Sequence, residues 1–276
     1  MITVSWGPCD SPDVKYRSIE AMIGIRVNQP LEVALIDVGG TLWPNAWPLR
    51  ETDGDGRHRR VSAAMPDLTP TAVDALVIDL IQSSRIGDQA RSINTEHMVK
   101  VPPAELLVAT SLSRQGLPSD DETVARIRRA MALPVADRLK PLPGAVELLS
   151  EIHVLGMRTV IASNTYWRDA ESYWEDFRLL GMADHVDAIV TSVDAGHLKP
   201  HPAVFEMAMR AGGAPAERCV VIGNKESNDI EPALALGMRA ILVHPDDPIP
   251  VSSRANAVAP DLWACAHALK AMLGAS

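Results

Sequence analysis

Residues 33–42 read V-A-L-I-D-V-G-G-T-L, a short apolar run that ends on Asp37 and turns at once through Gly39 and Gly40 to Thr41. Consecutive apolar residues closed by a turn signal predict a buried strand, and the first polar group beyond this one is a carboxylate. Open α/β sheets bind their ligands at the C-terminal ends of strands. Asp37 is therefore placed where chemistry is done, and any partners it has should follow other strands.

Further polar groups follow later apolar runs along the chain. Ser163 and Asn164 follow the apolar run 159–162, Lys199 stands in a Lys-Pro-His-Pro turn after the run 188–190, and the run 219–222 passes through Gly223 to Asn224 and Asp229. A fifth run, 240–243, completes the predicted strands. Between them the spacing predicts helices. One has Ala145, Leu148, Leu149 and Ile152 inward; others span 169–180, 203–211 and 230–236, and a last one spans 262–273. Alternating βα units imply a parallel sheet with helices on both faces.

The segment between the first strand and this alternating region reads differently. Trp43-Pro44-Asn45-Ala46-Trp47-Pro48 and the polar stretch to Arg60 predict an irregular loop. Thr69-Pro70 is a cap with a first-turn proline, and Val73, Leu76, Val77, Leu80 and Ile81 recur at the spacing of one helix face. A helix is predicted over 104–113, and Ser119 with Glu122 reads as a capping box opening a helix with Val124, Ile127 and Met131 inward. The expected division is an α/β core of residues 31–48 and 137–276 with a helical cap, 49–136, inserted after the first strand. Residues 1–30 are an extension that adds a helix or edge strand or is disordered.

Composition narrows the class. The chain has 276 residues, 47% of them hydrophobic, enough for a sizeable core. A formal net charge of -9 and 4% aromatic residues argue against nucleic acid, which needs basic patches and stacking platforms. Cys9, Cys219 and Cys265 show no zinc or redox spacing, which fits a reducing cytoplasm. Charged residues interrupt the first thirty positions, so no signal peptide is expected there, and no apolar run is long enough for a membrane span.

Taken together, the motifs at Asp37, Ser163, Lys199 and Asp229 resemble those of the haloacid dehalogenase-like (HAD) hydrolase superfamily. The topology resembles its subfamily I with a helical, C1-type cap, across about residues 33–243. That resemblance implies a Rossmann-like parallel sheet core with an inserted α-helical cap. It implies phosphoryl transfer from a small phosphorylated metabolite to Asp37, giving an aspartyl-phosphate that water hydrolyses. Lys199 would neutralise nucleophile and phosphate; Thr41, Ser163 and Asn164 would contact the phosphoryl group. Mg²⁺ would be held by Asp37, the Gly39 carbonyl, Asn224 and Asp229.

Two acidic positions depart from the family pattern. The residue two beyond the nucleophile, commonly an aspartate that protonates the leaving oxygen, is Gly39. The last motif commonly opens Gly-Asp, and here it is Gly223-Asn224. General acid catalysis is worth about 10²–10⁴ in rate, and hard Mg²⁺ favours carboxylate oxygen. Weakened acid catalysis and weakened metal binding follow, with Glu226 a possible replacement ligand. Two alternatives stay open. One is a catalytically impaired protein of this family that binds a phospho-ligand or protein partner; the other is a 2-haloacid dehalogenase. A carbon–phosphorus hydrolase would need a cap lysine, and Lys100 is the one available. Trp43 and Trp47 would either shape the pocket or pack the hinge, and Arg57, His58, Arg59 and Arg60 would be solvated or attract an anion. Substrate identity and oligomeric state are not legible.

Overall fold

The computed structural model describes residues 30–45, 54–93, 104–132, 139–244 and 252–274. From Leu31 onward the chain forms one compact unit. The expected extension before it, and both expected core–cap boundaries, lie outside the described residues.

Six parallel strands make one sheet: β1 (Val33–Ile36), β2 (Arg158–Ser163), β3 (Ala188–Thr191), β4 (Cys219–Gly223), β5 (Arg239–Val243) and β6 (Ala257–Ala259). Their order is β3-β2-β1-β4-β5-β6, and Ile36 lies level with Ile161 on one side and Ile222 on the other. The chain winds outward from β1 in one direction to β3 and then restarts at β4 on the opposite side. β1 and β4 thus flank the switch point, where adjacent crossovers diverge and leave a crevice at the strands' C-terminal ends. The five strands expected from sequence are present in this sheet. β6 was not anticipated: at three residues, with only Ala259 buried, it carries too little pattern to announce itself.

Side-chain alternation along each strand sends residues to opposite faces. Ala34, Ile36, Ile161, Val220, Ile222 and Ile241 join one core with the helices α5 (Ala145–Val154), α6 (Ala170–Leu179) and α10 (Leu262–Leu273). Val33, Leu35, Val160, Val221 and Leu242 join another with α8 (Pro202–Gly212) and α9 (Glu231–Ala235). The short helix between β3 and α8 is α7 (Ser192–Ala195). Both faces are buried, which is why the strands read as unbroken apolar runs.

Between β1 and α5 the described residues include four helices: α1 (Gly54–Ala64), α2 (Pro70–Ile93), α3 (Ala104–Arg114) and α4 (Asp121–Met131). Val61, Leu76, Leu80, Val108, Leu112, Ile127 and Met131 form a separate apolar cluster. Thr69 caps α2 through its hydroxyl, as expected, accepting from the Ala72 amide at 3.3 Å. Two local expectations are corrected. The polar stretch from Gly54 is helical rather than irregular, because Val61 and Met65 bury in the cluster and outweigh the poor propensity of its glycines. α4 is capped by Asp120, which accepts from the Thr123 amide at 3.0 Å, while Ser119 instead meets Ser113. The basic run belongs to α1: Arg57 and Arg60 donate to the carbonyls of Met131 and Ala130 at the end of α4, and His58 pairs with Asp74. Among the described residues no helix is long and apolar enough to cross a membrane.

Gly212, at the end of α8, lies where a Cβ would come within 2.7 Å of Val33 Cγ1 and 3.2 Å of Val160 Cγ2. Those β-branched side chains cannot swing away. Gly212→Val is expected to destabilise the protein by about 1–3 kcal/mol, read as a lower urea midpoint at unchanged m-value.

Candidate active site

Asp37 directly follows β1 and Asp229 follows β4, and a single ammonium joins them. Lys199 Nζ donates to Asp37 Oδ1 at 2.7 Å and to Asp229 Oδ1 at 2.6 Å. The side chains of Lys199 and Asp229 are 3% and 1% exposed, against 12% for Asp37. Asp37 is thus the member of the trio that an incoming molecule can reach. Its second oxygen, Oδ2, accepts from the Thr41 hydroxyl at 3.0 Å, and Asp229 Oδ2 accepts from the Lys225 amide at 3.0 Å.

Burial disfavours the charge on Lys199, but the two carboxylates override it and hold the ammonium above the ordinary lysine range. Burial pushes Asp229 up, with the Asp37 charge adding and the Lys199 charge opposing. Both follow from one cation shared by two carboxylates in a dry environment. The cation stays charged, and Asp229 takes up a proton more readily than an ordinary carboxyl as pH falls.

Local structure aims each group. Lys199 lies on the loop between α7 and α8, where Asn164 clamps its main chain: Asn164 Oδ1 accepts from Lys199 N at 2.7 Å and Nδ2 donates to Lys199 O at 3.1 Å. The Asn164 side chain is therefore committed to placing Lys199. His201 caps α8 by accepting from the Ala203 amide, and stacks on His197 at 3.8 Å. Ser163, at the end of β2, is 3% exposed and hydrogen-bonded to Tyr173 OH at 3.0 Å. Gly40 has φ +81°, and a Cβ there would lie 2.3 Å from Asn224 Nδ2. Glycine is required at that turn, and its absent side chain admits the Asn224 amide to the edge of β1. Gly39 is unlike it: its φ is outside the left-handed range and a Cβ would meet only Asn45 Oδ1 at 3.9 Å.

Other expected contributors go elsewhere. Glu226 accepts from Ser253 Oγ and the Arg254 amide, so it ties down residues 253–254 rather than serving as a replacement ligand. Trp43 is 2% exposed and packs on Tyr173 and Phe177, a core role and not a pocket wall. Trp47 and Lys100 lie outside the described residues. Tyr173 had no motif to signal it, and its contact with Ser163 is visible only in three dimensions. The described cysteines are no nucleophiles: burial pushes Cys219 up to about 11 and Cys265 up to about 12.

With this geometry in place the comparison with known proteins is informative. A family model for haloacid dehalogenase-like hydrolases matches residues 31–237. The chain belongs to the haloacid dehalogenase-like hydrolase family. Among its relatives, a glyceraldehyde 3-phosphate phosphatase of Methanothermobacter thermautotrophicus is 37% identical over 106 residues, covering 38% of this chain and 46% of that protein. A protein of the same name from Methanocaldococcus jannaschii is 29% identical over 105 residues, covering 38% and 45%. The matched segment spans just under half the length of these two curated relatives. A 2-haloacid dehalogenase structure from Pseudomonas syringae pv. Tomato superposes with a TM-score of 0.55 at 23% identity, covering 87% of this chain and 98% of that one, and shows the shared HAD-like fold.

Removing the ammonium tests the electrostatics of this HAD-like site. Lys199→Met leaves Asp37 and Asp229 facing each other without a counter-charge, and losing one partner of a buried ion pair costs about 3–5 kcal/mol. A carboxyl whose folded pKa lies above its unfolded value contributes stability only while protonated, and that contribution is lost as pH rises through the folded pKa. The variant's deficit against wild type is therefore expected to be smaller at pH 5 than at pH 8. Urea denaturation of both proteins at the two pH values measures it.

Proposed function

We propose that this HAD-like hydrolase is a phosphatase of a small phosphorylated metabolite, acting through an aspartyl-phosphate on Asp37. The observation that carries the reading is the Lys199 ammonium seated between Asp37 and the buried Asp229. It leaves Asp37 as the reachable oxygen nucleophile beside a fixed positive charge, the pairing that phosphoryl transfer demands. The phosphatase names of the two archaeal relatives support the same substrate class.

In the first step an Asp37 carboxylate oxygen bonds to phosphorus as the ester P–O bond breaks. Thr41 restrains one Asp37 oxygen and Lys199 the other, so the carboxylate meets the phosphoryl group in a fixed orientation. Ser163 presents a hydroxyl from the neighbouring strand end, and Asn164 acts by locking the Lys199 backbone. No carboxylic acid stands at residue 39 to protonate the leaving alkoxide, which takes its proton from solvent. Water then attacks phosphorus and Asp37 is released.

The residues at the crevice suit magnesium in donor type. Asn224 Oδ1 is buried without a hydrogen-bond partner, and with Asp37, Asp229 and the Gly39 carbonyl it makes a set of hard oxygens. Bound there, Mg²⁺ would supply charge neutralisation for the phosphoryl oxygens. Two carboxylates carry less charge than three, and among the described residues no group of three or more acidic, histidine or cysteine side chains gathers as a metal site. A reducing cytoplasmic setting suits the two free, buried thiols Cys219 and Cys265. The binding-protein alternative is favoured by Gly39 and Asn224 alone.

Turnover of an aryl or acyl phosphate, with magnesium saturating, is expected and should be abolished by Asp37→Asn; an alkyl phosphate should be turned over far more slowly. Gly39→Asp should narrow that gap by up to about 10²–10⁴ if the new carboxylate reaches the leaving oxygen, since a Cβ there meets only ordinary contact. Absence of Asp37-dependent turnover of even an activated phosphate would replace this reading with the phospho-ligand-binding or scaffolding one.

Asn224→Asp adds a full charge in nearly the same shape. Magnesium affinity is expected to rise at least about tenfold, roughly 1.4 kcal/mol, by calorimetric titration. Equal affinities would mean that Asn224 is not a ligand.

A further inference from the structure

We propose that Tyr173 is a positioning residue for this site: its phenol donates to Ser163 Oγ and so directs the serine's own proton toward the phosphoryl group. The inference rests on the phosphate-site reading above and adds a residue that no motif contains.

Ser163 and Tyr173 are 3% and 5% exposed, with their oxygens 3.0 Å apart. A serine hydroxyl has a single proton. If Ser163 donated it to Tyr173, nothing would remain for a phosphoryl oxygen; if Tyr173 donates, the serine proton is free to turn outward. Phenol is the more acidic hydroxyl and the natural donor of the pair. The Arg168 guanidinium lies over the Tyr173 ring, 4.3 Å from its centroid, and helps hold the ring in place. Arg168 is itself held by an ion pair with Asp176, on the same helix as Tyr173.

The ring is also packed by Trp43, from the turn that follows Asp37. Trp43, whose amide donates to the Val38 carbonyl, packs on Tyr173 at 5.8 Å between centroids and on Phe177 at 5.2 Å. Tyr173 therefore spans the ends of β1 and β2, and holds the Ser163 hydroxyl in register with the Asp37 turn. Donating into Ser163 also polarises its O–H, since linked hydrogen bonds reinforce one another.

The test is inorganic phosphate binding, followed by calorimetry, in wild type, Tyr173→Phe, Ser163→Ala and the double variant. Phenylalanine keeps the ring and its packing. Tyr173→Phe is expected to weaken phosphate about three- to tenfold, the worth of one hydrogen bond, and to raise KM for an aryl phosphate while kcat is nearly kept. On the Ser163→Ala background it should cost nothing further. Replacing Tyr173 with 3-fluorotyrosine, a stronger donor of nearly the same size, should tighten phosphate binding. Unchanged affinity in Tyr173→Phe, an equal loss with and without the Ser163 hydroxyl, or no response to the fluorinated ring would overturn the inference while leaving the phosphatase reading standing. Failure of wild type to bind phosphate would sink both together.

Discussion

The site is organised around one buried ammonium. Lys199 is 162 residues from Asp37 and 30 from Asp229 in sequence, yet touches both. A lysine charge with so little exposure survives only if opposite charges and hydrogen bonds replace its water. Two carboxylates do so, and the ends of β1 and β4 are thereby fixed relative to the loop after β3. The trio sums to one net negative charge. That surplus opposes a phosphate dianion and favours a further cation, so on the proposed phosphatase reading a phosphorylated ligand and magnesium would be coupled demands of the same electrostatics.

The geometry depends on how the sheet is wound. Because β1 lies between β2 and β4, the first strand's carboxylate lies in the crevice where the crossovers part. Asp37, Ser163 and Asn224 then lie at or directly after a strand's C-terminal end, while Asp229 and Lys199 reach the crevice from the segments that follow β4 and α7. Backbone clamps complete the placement: Asn164 grips Lys199 across two loops, and the glycine at 40 opens room for Asn224.

The helical insertion shares that framework. Tyr166, Trp167 and Leu198 bury in the insertion's apolar cluster, and they neighbour Asn164 and Lys199 in sequence. Arg128 of α4 also reaches Asp169, the residue that caps α6, at 2.5 Å. The loops that carry the phosphate-site candidates are thus anchored in the core on one side and in the insertion on the other. Movement of the insertion would be felt at Asn164 and Lys199 through these few contacts.

Apolar runs at strand spacing and their closing glycines determined the parallel α/β class and five of the six strands, and the resemblance of four motifs to those of the family singled out Asp37, Ser163, Lys199 and Asp229. These are local signals, because a strand buried on both faces writes its burial into consecutive residues. What lay beyond the sequence was decided by contacts between distant segments. Gly54–Ala64 became a helix through the cluster it packs into. Glu226 turned to residues 253–254, Trp43 turned to the core, and Tyr173 met Ser163 through the packing of a helix against a strand end. Such outcomes depend on which surfaces meet, and that information is held by the packed chain as a whole rather than by any stretch of it.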